Sequence, residues 1–376
     1  MEKIGRSALA VLLLGELFAI SAVAHLRQVE NQADVAWVHN TAKGKWDDHP
    51  RITLRLLAMF GDEADDNYLF YEPVAIVADK QGNIYVLDSK NFRVQVFDGD
   101  RRFLRTFGRR GQGPGDLGRP ECIDVDDAGN VYVGDPGNGR IAVFDPSGAP
   151  LRSVRVSATN IVFRIMKNGD ILLRNPNLDG GRGLKEGQVP LFRVLDSQGT
   201  LKRQVGQGTY FTKPPFTTGG NRALITADEK DNAYIAFLFQ NKIYKYSPDG
   251  RLVYAADRPL PKDKIIDKDL GLYTTINNAL DVDPQGRLWV VTHTRRWKKE
   301  ELIMRQYLGG QEQVIGDRTR TKTDLFEIQI FDGDGALLQK IPLTHFCDDI
   351  KVIGDKVYIL DKDRLGQFYV YQVKET

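Results

Sequence analysis

The apolar positions of this chain fall into short runs that repeat at a fixed spacing. A shift of 47 residues aligns the sequence with itself in one register. The aligned pairs are Phe60/Phe107, Pro73/Pro120, Gly82/Gly129, Asp88/Asp135, Asn91/Asn138, Arg93/Arg140, Phe97/Phe144 and Leu104/Leu151. Each copy contains four short apolar runs separated by turn residues, which is the size of one four-stranded propeller blade. The pattern therefore predicts an all-β repeat protein.

Each run within a copy predicts one strand. Residues 84–86 and 131–133 are β-branched and aromatic, and each run follows a Gly-Asn pair that suits a tight hairpin turn. Residues 94–97 alternate in polarity, and a turn at 98–100 leads into the next apolar run at Phe103. These are strands b, c and d of a blade, and residues 74–78 are the innermost strand a.

Later copies are more divergent and complete a set of six. Their strands are predicted within residues 168–173 and 192–201, 231–235 and 243–252, 280–283, 286–290 and 326–337, and 350–352, 357–359 and 369–373. The predicted fold is a six-bladed β-propeller of four-stranded antiparallel blades. The sixth copy lacks an outer strand, and residues 52–59 precede Phe60 in the register of one. We expect residues 52–59 to pair with residues 369–373 and close the ring, which removes exposed sheet edges.

The N-terminus reads as an export signal. Lys3 and Arg6 precede an apolar run at 8–22, and residues 22–24 form an A-x-A cleavage pattern. The alternative is an uncleaved membrane anchor, in which Glu16 would cost about 2.5 to 3.5 kcal/mol near the bilayer centre, so cleavage is favoured. The prediction is a signal peptide at 1–24, a linker or surface arm at 25–50 and the propeller at 51–376. The destination is periplasmic or extracellular, with membrane attachment only if the signal is retained.

Charge limits the kinds of partner that we expect, and the positions of the cysteines limit disulfide formation. The chain has 52 Lys plus Arg and 50 Asp plus Glu, a formal net charge of +2. Because no global field favours a polyanion, we expect no nucleic-acid partner. The two cysteines, Cys122 and Cys347, are predicted one whole blade apart, farther than the roughly 7 Å between Cα atoms that a disulfide tolerates. We expect two free, buried thiols.

Three strings resemble the NHL-repeat family. They are GQGPGDL at 111–117, GNVYVGD at 129–135 and NGRIAVFD at 138–145. The resemblance is strong across residues 51–151 and thinner across 152–376, and it implies a six-bladed propeller. Members of the family range from binding and scaffolding modules to enzymes, so no activity follows from the resemblance alone.

Two kinds of enzymatic relative offer an alternative. Peptide-amidating lyases with this propeller hold zinc with several His, whereas only His293 and His345 lie within the repeats here. Propeller lactonases similar to gluconolactonases and paraoxonases hold a divalent ion with Glu, Asn and Asp at the inner-strand mouths. Residues at such places here are Glu121, Asn160, Asn278 and Asp348. Their oxygens suit calcium, although water-exposed rim residues would look the same. No nucleophile elbow, zincin or phosphate-loop motif is present.

The connections between blades are elaborated on one face. In an antiparallel blade the b-to-c and d-to-a connections emerge together, and the predicted insertions at 175–190, 205–222, 257–277 and 294–323 all belong to this set. Because loops on a rigid scaffold usually carry binding, we place the site at the channel mouth on that face. The predicted ligand-binding residues are Glu121, Asn160, Arg222, Asn278, His293, His345 and Asp348.

The last insertion mixes basic and aromatic residues. The predicted partner-binding residues are Arg295, Arg296, Trp297, Lys298 and Lys299, and residues 297–308 are predicted as a short helix that caps the mouth. A solvated surface helix is the plainer alternative. Arg and Lys beside aromatic rings suit anionic glycans, peptides or acidic protein surfaces.

These observations favour a non-enzymatic, exported binding module whose partner is a protein, peptide or glycan on the loop-rich face. The alternative is a lactonase or lyase dependent on calcium or zinc, with its site at the channel mouth. No cofactor is predicted firmly beyond a possible divalent cation of this kind.

Overall fold

The chain folds into a ring of blades around a central channel. The computed structural model describes residues 35–61, 64–179, 189–210, 220–260, 266–267, 272–273, 275–306, 312–319, 322–362 and 366–376. Within this part of the chain, six four-stranded antiparallel blades are present, as predicted. We number the strands in chain order and letter them a to d from the channel outward.

The first three blades are continuous in sequence. Blade 1 has β3 (Pro73–Ala78), β4 (Ile84–Asp88), β5 (Arg93–Phe97) and β6 (Phe103–Phe107). Blade 2 has β7 (Cys122–Val125), β8 (Val131–Asp135), β9 (Arg140–Phe144) and β10 (Pro150–Arg155). Blade 3 has β11 (Phe163–Ile165), β12 (Ile171–Arg174), β13 (Pro190–Leu195) and β14 (Leu201–Gln207).

The other three blades take in N-terminal strands or inserted hairpins. Blade 4 has β15 (Ala223–Ala227), β16 (Ala233–Phe237), β17 (Ile243–Tyr246) and β18 (Leu252–Asp257), with β1 (Ala36–His39) added in parallel outside β18. Blade 5 has β21 (Asn277–Val282), β22 (Leu288–His293), β25 (Phe326–Phe331) and β26 (Leu337–Pro342). Blade 6 has β27 (Asp349–Ile353), β28 (Lys356–Asp361), β29 (Gln367–Glu375) and β2 (Ile52–Phe60).

In the described part of the chain, two additional two-stranded sheets, each formed by an inserted hairpin, and four short 3₁₀ turns lie between these strands. The hairpins are β19 (Ile266–Asp267) with β20 (Leu272–Tyr273), and β23 (Leu302–Gln306) with β24 (Glu312–Gly316). The described 3₁₀ turns are Ser89–Asn91, Pro136–Asn138, Pro176–Asp179 and Lys299–Glu301. The helix predicted over 297–308 is therefore wrong. After one 3₁₀ turn the chain continues as β23, because Ile303 and Met304 pair across the hairpin with Ile315 and Val314.

The core lies between blades rather than inside them. Strands β4 and β8 are buried at every position because both of their faces meet a neighbouring blade, which explains their unbroken apolar runs. Adjacent inner strands contact each other in the order β3, β7, β11, β15, β21, β27 and back to β3. At the last of these junctions Phe60 packs against Phe97 of blade 1 and Phe368 of blade 6, with ring centroids 4.9 and 6.0 Å away.

The N-terminal segment crosses the outside of blades 4, 5 and 6. After β1, the Lys45 and Trp46 amides donate to the Leu337 and Leu338 carbonyls of blade 5, at 3.0 and 2.6 Å. Strand β2 then pairs antiparallel with β29, from Ile52 opposite Glu375 to Phe60 opposite Phe368. The strand pairing predicted from residues 52–59 is thus present, and β2 supplies the outer strand that the C-terminal repeat lacks.

Aspartates fix the turns at both ends of the blades. In the a-to-b turn of blade 2, Asp126 accepts hydrogen bonds from the Asn130 amide, the Asn130 side chain and the Tyr132 hydroxyl at 2.9 to 3.1 Å. Asp79 and Asp228 hold the equivalent turns of blades 1 and 4. Gly129 in this turn has φ +81°, a left-handed conformation that glycine adopts without strain.

At the other end, Asp88 and Asp135 close strand b and are fully buried. Asp135 accepts from the Gly118 and Arg119 amides at 3.0 and 2.7 Å and from the Asn138 side chain at 2.6 Å. These recurring aspartates therefore tie the d-to-a connection to the b-to-c turn, and their carboxylates are committed to that structural role.

Candidate functional site

The residues predicted at the insertion-bearing mouth lie near the starts of inner strands or the end of β22. Glu121 lies 3.3 Å from the Arg119 guanidinium. With the Asn160 amide oriented so that its nitrogen donates, it reaches the Glu121 carboxylate at 3.2 Å. Blades 2 and 3 therefore bring Glu121 and Asn160 together.

Asp348 is the most strongly bound of the predicted residues. Its two oxygens accept from the two terminal nitrogens of Arg318, both at 2.7 Å, and Oδ2 also accepts from the Lys362 amide at 2.8 Å. Burial acts to raise the pKa of Asp348, but these hydrogen bonds and the Arg318 charge outweigh it and lower the pKa below its ordinary value. Arg318 comes from the blade 5 insertion and was not among the predicted residues.

The two predicted histidines are largely buried. His345 is 4% exposed, stacks on Tyr369 with ring centroids 3.8 Å apart, and makes hydrogen bonds to the Tyr371 hydroxyl (2.7 Å) and the Phe346 carbonyl (3.0 Å). Burial lowers the pKa of His345. His293 is 9% exposed and packs on Phe326. Both rings contribute to packing at the mouth.

Asn278 and Arg222 lie at the starts of two other inner strands. The Asn278 side chain donates to the Cys347 carbonyl, which links blades 5 and 6. The Arg222 carbonyl accepts from the Leu238 amide at 2.9 Å. Both residues are partly exposed, so each combines a structural contact with access to the mouth.

A calcium or zinc site receives poor support at this mouth. The Asp348 oxygens are occupied by Arg318, and Glu121 is paired with Arg119. Among the residues that the structure describes, no group of three or more His, Cys, Asp or Glu is placed to hold a metal ion. The resident side chains thus satisfy one another and do not present a set of open oxygen ligands.

The predicted partner-binding residues belong to a hairpin that is anchored at its base. Arg295 forms two 2.7 Å hydrogen bonds with Glu301, its Nε donates to Asp324 at 2.8 Å, and the Arg295 interactions lower the pKa of Glu301. Trp297 stacks on Phe346 with centroids 5.9 Å apart and packs so closely on Gly316 that a Cβ there would collide with its ring. Arg295 and Trp297 are therefore anchors, whereas Lys298 and Lys299 are exposed.

A cavity of about 340 Å³ lies at the opposite mouth, among the short a-to-b turns. None of the seven predicted ligand-binding residues lines it. A chain of ion pairs runs along its rim, from Lys80 through Asp127 and Lys167 to Glu229, with N–O distances of 2.6 to 2.8 Å. Each blade also contributes an aliphatic residue to the lining, among them Val77, Val125, Ile165, Ala227, Val282 and Ile353.

Charged residues of the inner strands line the deeper part of this cavity. Asp124 and Arg164 come from blades 2 and 3, and Asp281 and Lys351 come from blades 5 and 6 on the other side of the channel. Lys351 donates to Asp281 at 2.9 Å. Burial acts to lower the pKa of Arg164, but nearby carboxylates, including Asp124, Asp349 and Asp281, outweigh it and raise the pKa. The sequence signal was a charged residue within a short inner strand, as in Cys122–Val125 and Phe163–Ile165.

Both cysteines are free and buried, as predicted. Burial raises the pKa of each thiol. The Cys122 thiol lies 3.7 Å from the Arg164 guanidinium, and the Cys347 thiol donates to the Asp349 carbonyl at 3.4 Å. Neither thiol has the exposure that a reactive cysteine needs.

Comparison with known proteins places the fold among propellers. The sequence model of the family DUF5128, described as a six-bladed β-propeller, matches residues 29–258. No curated protein was found to match in sequence. No helix in the described part of the chain is both long and apolar enough to cross a bilayer.

Solved structures resemble the protein in fold only. A candidate exported protein of Bacteroides fragilis NCTC 9343 is 12% identical with a TM-score of 0.57. The superposition covers 91% of this chain and 100% of that protein's chain. A DUF4221 family member from Bacteroides vulgatus ATCC 8482 is 11% identical with a TM-score of 0.56, covering 87% of this chain and 99% of its own. Virginiamycin B lyase from Staphylococcus aureus is 12% identical, covering 86% of this chain and 100% of its own, and its TM-score of 0.45 carries no functional argument.

Proposed function

Because the chain belongs to DUF5128, a family of six-bladed β-propellers, we propose that it is an exported binding module that recognises an acidic peptide segment of a partner protein through the hairpin β23–β24. The observation that carries the proposal is a hairpin anchored at its base, with Ile303 and Met304 exposed on β23 and Lys298 and Lys299 exposed in the segment before it. Anchored loops on a rigid ring are the usual place for recognition in such scaffolds.

The anchoring contacts give the hairpin a fixed position. Arg295 joins its start to Glu301 and Asp324, and Arg318 joins its end to Asp348 of blade 6. The Asp317 amide donates to the Glu301 carbonyl at 2.6 Å, which ties the two ends to each other. A preorganised element loses less conformational freedom on binding than a disordered loop.

The exposed positions define the chemistry of the partner. Ile303 and Met304 are 40% and 61% exposed, and Met in particular adapts to varied apolar surfaces. Lys298 and Lys299 are exposed next to them. Apolar side chains bordered by lysines suit a peptide in which acidic and aliphatic residues alternate.

The experiment measures binding of fluorescein-labelled peptides by anisotropy. The probes are a Glu-Leu repeat, a Lys-Leu repeat and a Glu-Ser repeat of equal length, which separate charge from apolar contact. We expect the Glu-Leu peptide to bind best and the double variant Lys298→Glu/Lys299→Glu to weaken it about tenfold. Ile303→Ser/Met304→Ser should weaken the same peptide without changing its salt dependence.

The control is Arg102→Glu, an exposed charge reversal in a c-to-d turn at the other end of the blades. It should leave peptide binding unchanged. Equal loss from Arg102→Glu and the double lysine variant, or equal binding of all three peptides, would refute the proposal.

The repeat type and the cellular location belong to the same proposal. The strings at 111–117, 129–135 and 138–145 support NHL-type blades, and the N-terminal pattern supports export followed by signal cleavage. The residues of the signal lie outside the part of the chain that the structure describes. A metal-dependent lactonase or lyase gains no specific support from the described residues.

A further inference from the structure

We propose that the cavity at the short-turn mouth binds a small zwitterion of the α-amino-acid type. Its carboxylate would lie at Arg164, its ammonium at Asp124, and its aliphatic side chain against the aliphatic residues that line the cavity. This site is separate from the hairpin and lies at the other end of the channel.

Opposite charges line the cavity on both sides of the channel. Lys351 and Asp281 form a closed pair at 2.9 Å, and Asp281 also accepts from the Thr226 hydroxyl at 3.3 Å and the Val352 amide at 2.8 Å. This pair is satisfied by the protein itself. It contributes to the walls of the cavity and needs no ligand.

Arg164 and Asp124 are neighbours but do not form such a pair. Asp124 accepts from two backbone amides, those of Val125 at 3.0 Å and Ile165 at 2.7 Å. Within the described chain, Arg164 donates two hydrogen bonds, both from Nη1, to the Phe163 carbonyl and the Cys122 sulfur. A cation and an anion therefore line the same cavity with hydrogen-bonding capacity to spare.

The guanidinium of Arg164 has an unused donor. Its Nη2 makes no hydrogen bond among the described residues and, unlike Nε, is not enclosed by protein. A carboxylate is the acceptor that best matches the planar fork of a guanidinium.

The rest of the cavity limits the size and character of the ligand. Its volume of about 340 Å³ is near the lower end of small-molecule sites, roughly 300 to 1,000 Å³. All six blades contribute an aliphatic residue to its lining, and these residues are Val77, Val125, Ile165, Ala227, Val282 and Ile353. A polyanion is disfavoured because the acidic side chains of the lining outnumber the basic ones.

The experiment is calorimetric titration of the purified full chain with three probes that differ by one charged group. Leucine carries both charges, leucinamide lacks the carboxylate, and 4-methylpentanoate lacks the ammonium. We expect leucine to bind and each analogue to bind at least about tenfold more weakly, which corresponds to the loss of one charge-assisted contact. This comparison uses the unaltered protein, so it does not depend on the folding of a variant.

Two variants assign the contacts. Arg164→Met should make leucine and leucinamide bind equally weakly, and Asp124→Asn should do the same for leucine and 4-methylpentanoate. Arg102→Gln, exposed at a c-to-d turn, is the control and should change nothing. Failure of leucine to bind, or leucine binding that Arg164→Met leaves unchanged, would overturn the proposal, whereas loss of peptide binding at the hairpin would not affect it.

Discussion

The two ends of the central channel differ in how completely their charged side chains are paired. At the end with long connections, predicted site residues are engaged by neighbouring side chains, as Asp348 is by Arg318 of the blade 5 insertion and His345 is by Tyr371 of β29. At the end with short turns, a cavity of about 340 Å³ is present, and Arg164 lines it with Nη2 unused by the described residues. We call the end with long connections the covered end, after the blade 5 insertion that contacts it, and the end with short turns the open end.

The proposed peptide site and the proposed small-molecule site therefore lie at opposite ends of one ring. The covered end offers a hairpin with exposed Ile303 and Met304, which suits a macromolecular partner. The open end offers a small, charged cavity, which suits a small molecule. The length of a loop marks an elaborated surface, but it does not mark the place where a small ligand fits.

Removal of β2 should have the largest effect, because it destabilises the whole ring and with it the proposed sites at both ends of the channel. Deleting residues 1–60 strips the outer strand from β29 and removes Phe60 from its contacts with Phe70, Phe97 and Phe368. Because the sixth blade then presents an open edge, we expect aggregation or the loss of most of the roughly 5 to 15 kcal/mol that stabilises a domain. Size-exclusion chromatography and thermal melting measure both outcomes.

Deletion of residues 1–34 is the matched control because it leaves the crossing segment and β2 in place. This shorter deletion should melt like the intact chain. A protein lacking residues 1–60 that stays monomeric with unchanged melting would show that the sixth blade does not need its N-terminal strand.

Two aspartates of blade 2 compare the ends at the level of single turns. Asp135, at the covered end, is fully buried, bonds two backbone amides and lies 3.8 Å from Arg140. Its replacement by Ala removes the acceptor of those amides and the buried carboxylate beside Arg140, so we expect a loss of about 3 to 5 kcal/mol. Asp126, at the open end, is only partly buried, and Asp126→Ala should cost about 1 to 2 kcal/mol.

Urea unfolding at neutral pH measures both losses. The Asp135→Ala variant should unfold at the lower urea concentration, with a similar dependence of the free energy of unfolding on urea. The reverse order would mean that the short turns, and not the connections behind them, hold the blade together.

The repeat pattern predicted the fold because blade strands have a local signature. Residues 84–86 and 131–133 are continuously apolar since strand b is buried on both faces, and Gly82 and Gly129 occupy left-handed turn positions with φ near +80°. The N-terminal outer strand was also predictable, because Phe60 lies in the register of Phe107. The structure of residues 297–308 was not, since a charged segment with scattered apolar residues fits a helix or a hairpin equally well.

The site was less predictable because it depends on which side chains find partners. Nothing in the sequence shows that Arg318 reaches Asp348 in the next blade, or that Arg164 does not pair with Asp124. Charged residues within short inner strands were present as a signal, and their convergence at the open end depends on the ring geometry. Loop length drew attention to the other mouth.

Two adjacent aspartates, Asp348 and Asp349, should change the free energy of unfolding with pH in opposite directions. Burial raises the pKa of Asp349 to about 6, although Arg164, Lys362 and Lys351 act to lower it and Asp281 acts to raise it. A raised pKa in the folded protein contributes stability that is lost as pH rises from the unfolded value, 3.8, through about 6. Asp348, held by Arg318, has a lowered pKa, and it contributes stability that is present above 3.8 and is lost at lower pH.

Asp349→Asn should therefore gain stability relative to the intact chain as pH rises from 4 to 8, by at most about 3 kcal/mol at about 1.4 kcal/mol per pKa unit. Asp348→Asn should instead lose stability at pH 8 and recover part of that loss toward pH 3. Urea unfolding of both variants across this range measures the two curves. Parallel curves would show that the residues share one environment, whereas curves of opposite slope would place Asp348 in the paired network of the covered end and Asp349 among the incompletely paired charges of the channel.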